Sequence, residues 1–142
     1  SLYLKQNRAL YYQLLQEVRT HGNWETWLEF FLEAIDVSAQ QALLMAKNIN
    51  ALFDADLAKI QTLGRAQFSA VQVFEYLKKL PQVSVPVVAE ALSLSAPTAR
   101  AALNNLLELG ILIEISGKRT DKVYVYKNYL ALLEEGAEPF KR

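Results

Sequence analysis

Three observations predict a chain that is mostly α with a small β-hairpin. Apolar residues recur at helical spacing from Leu4 to Ile60. A second apolar set is cut into shorter helices by Pro81, Pro86 and Pro97, and two β-rich runs, 111–115 and 123–126, flank a polar loop. Helix, tight turn, helix and hairpin in that order form a winged helix-turn-helix domain. An N-terminal helical segment of three helices precedes it. The expected boundaries are 1–65 for the helical segment, 66–136 for the winged domain and 137–142 for a flexible tail.

Leu4, Tyr11, Leu14, Leu15 and Val18 predict a first helix over about 4–20, stopped at Thr20-His21-Gly22. It starts without a capping residue and residues 1–4 are already apolar, as expected of a piece cut from a larger domain. Asn23 is a good N-cap for the next helix, with Glu25 in its first turn. Trp24, Trp27, Leu28, Phe31, Leu32 and Ile35 then share one face, read as core or interdomain packing. Ser38 and Gln41 resemble a capping box, which would start a third helix or bend a continuous one. Over 38–62, Ala42, Ala46, Ile49, Phe53, Leu57 and Ile60 approach a heptad spacing. That pattern fits an intramolecular helical hairpin or a homodimer seam. Gly64 is the expected linker point.

The winged domain should open at Ser69 and Gln72, a second capping box, with Phe68 and Val73 as its hydrophobic staple. Val73, Phe74, Leu77 and Leu80 point that helix inward. Residues 83–85 can add a short strand before Pro86 opens the next helix. Ser95 is placed to cap the following helix, and Pro97 is tolerated in its first turn. Leu103, Leu106, Leu107 and Leu109 supply its buried stripe, and Gly110 ends it. The hairpin follows, with 116–122 as the wing tip. Asn128 would cap a last short helix over 129–135.

Composition narrows the function. Lys plus Arg and Asp plus Glu each number 15, so no global field draws the chain to a polyanion. Without cysteine there is no disulfide scaffold, thiolate metal site or cysteine nucleophile, which fits a reducing compartment. No apolar run approaches the roughly 20 residues that span a bilayer, and no signal peptide is recognisable. A cytoplasmic location without membrane contact is expected. His21 is the only histidine and reads as a surface residue. No phosphate-cradling glycine loop, G-x-S-x-G elbow or H-E-x-x-H motif occurs.

DNA contact would fall to the exposed positions of the second helix of the motif, Thr98, Arg100, Ala101, Asn104 and Asn105. Arg100 is suited to guanine and Asn104 to adenine. Lys118, Arg119 and Lys122 on the wing are placed for phosphate or the minor groove. A single arginine on the recognition helix offers little charge, so the alternative is a scaffold for protein contacts.

The N-terminal block Leu4-Lys5-Gln6-Asn7-Arg8, Tyr11-Tyr12-Gln13-Leu14-Leu15, Val18-Arg19, Gly22-Asn23-Trp24-Glu25, Trp27-Leu28 and Phe30-Phe31-Leu32 resembles the segment just downstream of the catalytic core in Fic-family (filamentation induced by cyclic AMP) proteins. That family continues into a long helix and a winged helix. Asn23 stands where the family commonly has aspartate, which keeps the N-cap. The resemblance implies a parent that transfers AMP from ATP to a protein hydroxyl, with magnesium, through an H-P-F-x-[DE]-G-N-G-R motif. That motif is absent here, so no catalytic, ATP-binding or metal-binding residue carries over. The family's inhibitory [ST]-x-x-x-E-[GN] pattern is also absent, since Ala131 stands before Glu135-Gly136 where a hydroxyl residue is required.

The sequence thus predicts a non-catalytic, C-terminal winged-helix regulatory or DNA-binding module of a Fic-type adenylyltransferase. Its expected partners are DNA, the upstream core, or a second copy through 38–62. The alternatives are a stand-alone dimeric winged-helix transcription regulator and a protein-interaction module without DNA binding.

Overall fold

The computed structural model describes residues 1–136. The chain is mostly helical with a small antiparallel sheet, and it divides into two compact units. One holds Ser1–Asn48 together with the chain from Leu133; the other holds Ile49–Leu132. The flexible tail expected over 137–142 lies outside the described residues.

In the first unit, α1 (Leu2–Gln6) and α2 (Arg8–His21) replace the single helix expected over 4–20. The break is at Asn7, whose backbone leaves the helical region at φ −107°, ψ 29°. Its side-chain amide donates to the Tyr3 carbonyl at 3.0 Å, so the side chain competes with the helix for a backbone partner. Gly22 ends α2 in the left-handed conformation. Asn23 then caps α3 (Trp24–Ile60), its Oδ1 accepting from the Thr26 hydroxyl at 3.1 Å and the Thr26 amide at 3.5 Å. No break occurs at Ser38, so the first capping-box pattern starts nothing: the second and third expected helices are one.

The apolar face of early α3 is rotated from the expectation. Phe30 and Ala34 are the buried residues, with Trp27 half-buried, whereas Trp24, Leu28, Phe31, Leu32 and Ile35 are exposed. Tyr11 packs edge-on to Trp27 at 5.2 Å, and Tyr3 and Tyr11 lie 5.8 and 6.5 Å from Phe30. Residues 27–32 are apolar on nearly every side, so spacing alone did not select which face packs.

The second unit is a winged helix. A 3₁₀ segment, Gln61–Ala66, is kinked at Gly64 and leads into α4 (Gln67–Leu77). Then follow β1 (Gln82–Ser84), α5 (Val85–Leu92), α6 (Ala96–Glu108), β2 (Ile113–Glu114), β3 (Val123–Val125) and α7 (Lys127–Glu135). The strand order is β1-β3-β2, all antiparallel, with Tyr124 of the central strand opposite Val83 and Glu114. Ile60, Val73, Phe74, Leu77, Val88, Ala99, Ala102, Leu103, Leu106, Leu112 and Tyr126 form its buried core.

Several expectations at element ends are corrected. Ser69 lies inside α4, its hydroxyl donating back to the Ala66 carbonyl at 3.4 Å, because the 3₁₀ segment already supplies the preceding turn. Phe68 is exposed, so no staple forms, and Leu80 is exposed beyond the end of α4. Asn128 is within α7 rather than before it. Leu107 and Leu109 are only half-buried beside the fully buried Leu103 and Leu106. Of the near-heptad run, Phe53 and Leu57 pack against the winged-helix core and Ile60 lies within it, while Ala42 and Ala46 are exposed. The end of α3 thus serves an intrachain core, and a dimer seam along all of 38–62 is not available.

One polar group sits inside this core. Asp56 is 1% exposed; its carboxylate accepts from the Tyr126 hydroxyl at 2.7 Å and from Lys59 at 2.7 Å. Sequence reading missed this pair, 70 residues apart, because a single aspartate in a helix usually means a solvated one.

Candidate nucleic-acid interface

The two helices of the motif meet through a turn built as their residues require. Ser93 adopts the left-handed conformation at φ 53° and closes α5, and the Leu94 amide returns to the Ala89 carbonyl at 3.0 Å. Ser95 caps α6: its hydroxyl accepts from the Thr98 amide at 3.2 Å and shares a hydrogen bond with the Thr98 hydroxyl at 2.7 Å. Ala99, Ala102, Leu103 and Leu106 turn inward, which leaves Thr98, Arg100, Ala101 and Asn104 exposed on the opposite face.

Between that face and the hairpin lies a cleft of about 650 Å³. Arg100 and Asn104 line it from α6, Arg119, Thr120, Asp121 and Lys122 from the wing, and Tyr124 from its floor on β3. Four of the predicted residues are therefore brought together: Arg100, Asn104, Arg119 and Lys122. Thr98, Asn105 and Lys118 do not line the cleft. Thr98 is spent on the cap, Asn105 is half-buried on another face, and Lys118 is exposed at the tip.

Electrostatically the cleft has three cations against one carboxylate, Asp121. Among the described residues none of Arg100, Lys118, Arg119 or Lys122 is in an ion pair. The base of the wing is held by Glu114, whose Oε1 accepts from the Ser116 amide at 2.6 Å, the Gly117 amide at 3.1 Å and the Ser116 hydroxyl. The Ser116 hydroxyl bond, followed by those two amides and nearby Lys122, holds the Glu114 carboxyl below the usual carboxylate range. Asp121 turns the returning strand with φ 54°.

Tyr124 was missed in the sequence, where it counted only as a β-forming residue. It is fully buried, yet its hydroxyl reaches α6 and donates to Asn104 Oδ1 at 3.3 Å. Burial, and secondarily Glu114, push the phenol up, opposed by Arg100. The period-2 placement of Tyr124 and Tyr126 was visible, but not that each hydroxyl would find a partner on a different helix.

No family model matches this sequence. Among the described residues no three His, Asp or Glu side chains are grouped so as to hold a metal ion, and no helix is long and apolar enough to cross a membrane. The ATP and magnesium implied for a Fic-type parent find no matching motif in this chain.

Proposed function

We propose that this chain is the C-terminal winged-helix regulatory and DNA-binding module of a Fic-type protein adenylyltransferase, cytoplasmic and itself non-catalytic. The observation that carries the DNA reading is the cleft that gathers Arg100 and Asn104 of α6 with Arg119 and Lys122 of the wing. Arginine and asparagine on a recognition helix suit base edges, and cations on a hairpin tip suit phosphates. The Fic-type attribution rests on the resemblance over 4–32. The exposed apolar side chains of early α3 support it, since Trp24 is 59% and Leu32 63% exposed, a surface of the kind a neighbouring domain covers. In this reading the upstream catalytic core is that domain, and the nucleotide chemistry belongs to it.

Anisotropy of a labelled random-sequence duplex, titrated from low to high salt, tests the proposal. If Lys118, Arg119 and Lys122 each neutralise one phosphate, log K against log salt falls with a slope of roughly −3, and Arg119→Ala removes about 1 from it. Arg100 is placed for a base edge rather than a phosphate, so Arg100→Ala changes the slope by less than Arg119→Ala does. A chain that ignores DNA at low salt refutes the DNA reading. Transfer of labelled AMP from ATP to a target by the chain alone refutes the non-catalytic one.

A further inference from the structure

We propose that Tyr124 turns the Asn104 side chain so that its amino group, not its carbonyl, faces DNA, which makes guanine rather than adenine the base that Asn104 selects. This rests on the DNA-binding reading above. Asparagine recognises adenine with both ends of its amide, Oδ1 accepting from N6 and Nδ2 donating to N7. Here Oδ1 already accepts from the Tyr124 hydroxyl at 3.3 Å. Tyr124 is fixed: it is 1% exposed and sits on the central strand, paired on both sides. Its hydroxyl lies within hydrogen-bond reach of Asn104 Oδ1, and Arg100, Arg119 and Lys122, which share the cleft, are donors only and offer it no acceptor.

With Oδ1 engaged by Tyr124, Nδ2, which makes no hydrogen bond among the described residues, is the end of the amide left to a ligand in the cleft that Asn104 lines. Guanine presents two acceptors, O6 and N7, to that amino group. Adenine presents N7 alone and leaves its N6 amino group facing a donor. Tyr124 is thus a positioning residue that sets specificity without reaching DNA itself.

Selection of bound duplexes from a random-sequence library at low salt, followed by sequencing, tests this. The position read by Asn104 is identified as the one whose preference disappears in Asn104→Ala. The wild-type chain should favour guanine over adenine there by about three- to tenfold, the worth of one net hydrogen bond. Tyr124→Phe keeps the ring and frees Oδ1, so adenine should gain at that position alone, with the salt slope unchanged. Wild-type preference for adenine overturns the inference whether or not the variant folds. So does a folded Tyr124→Phe protein with unaltered base preference. Failure to retain any duplex is a different result: it removes the DNA-binding reading, and this inference with it, before any base is counted.

Discussion

Tyr126→Phe should destabilise the winged-helix unit by about 1.5–3 kcal/mol, the range for a hydrogen bond to a charged group. The substitution deletes one oxygen. The ring keeps its neighbours Phe74, Tyr129 and Phe53 at 5.9, 5.5 and 6.2 Å, so little packing is lost. What remains is a carboxylate at 1% exposure that has lost its 2.7 Å donor and keeps only Lys59. Lys59 is 49% exposed, so Lys59→Met should cost no more than about 1 kcal/mol. A double-mutant cycle of Tyr126→Phe with Asp56→Ala isolates the coupling. Urea unfolding followed by far-UV circular dichroism is the suitable assay, because both tryptophans, Trp24 and Trp27, belong to the other unit. The bond also has a pH signature. Burial, then the hydrogen bond to Asp56 and its charge, raise the Tyr126 phenol well above its ordinary 10.0. Its contribution is therefore complete below about pH 10 and is lost as pH rises beyond that, more steeply in the wild type than in Tyr126→Phe. A variant within about 0.5 kcal/mol of wild type, or one less damaging than Lys59→Met, would refute this role for the Tyr126–Asp56 bond.

Leu106→Ala, at a fully buried core position, should cost about 2–5 kcal/mol; a loss under about 1 in denaturant titration would mean that α6 is rotated. Gly64 has φ 60° and ψ −127°, where a Cβ is strained, so Gly64→Ala should cost about 1–3 kcal/mol by the same titration. In the first unit Phe30→Ala should cost about 3–5 kcal/mol, whereas Leu32→Ala, at an exposed site, should stay within about 0.5. Tryptophan fluorescence reads both, since Trp27 lies 6.2 Å from Phe30, and equal losses would restore the face that spacing alone predicted.

The winged domain was legible because its signals are local. Ser95 and Pro97 fix the start of α6, Gly110 follows its end, and the β-branched runs flank a polar tip, so the helices and hairpin fell into place. Arg100 and Asn104 were identified as outward because Leu103 and Leu106 already claimed the inner face. The N-terminal unit was less legible for the opposite reason. Where 27–32 are apolar almost all round, helical period cannot choose between the Phe30–Ala34 stripe and the Trp24–Leu28–Leu32 stripe, and only tertiary partners decide. The capping box at Ser69 misled, and of the two readings open at Ser38 the continuous helix is the one observed, because each serine sits in a chain already turning as a helix. The Asp56 and Tyr124 hydrogen bonds were out of reach, since both join elements far apart in sequence.

The collar of hydrogen bonds around Glu114 has a bearing on the wing that its charge alone would hide. A hairpin tip carrying Lys118, Arg119 and Lys122 would ordinarily writhe through many shapes, and a polyanion would have to freeze it on arrival. Here a carboxylate on the strand engages the loop's own serine hydroxyl and two amides, so the start of the loop is set before any partner comes. In the DNA-binding reading, part of the entropy of docking has then been spent during folding, and the Glu114 carboxylate is turned onto the chain rather than outward against an approaching phosphate, which leaves Asp121 as the one carboxylate of the cleft.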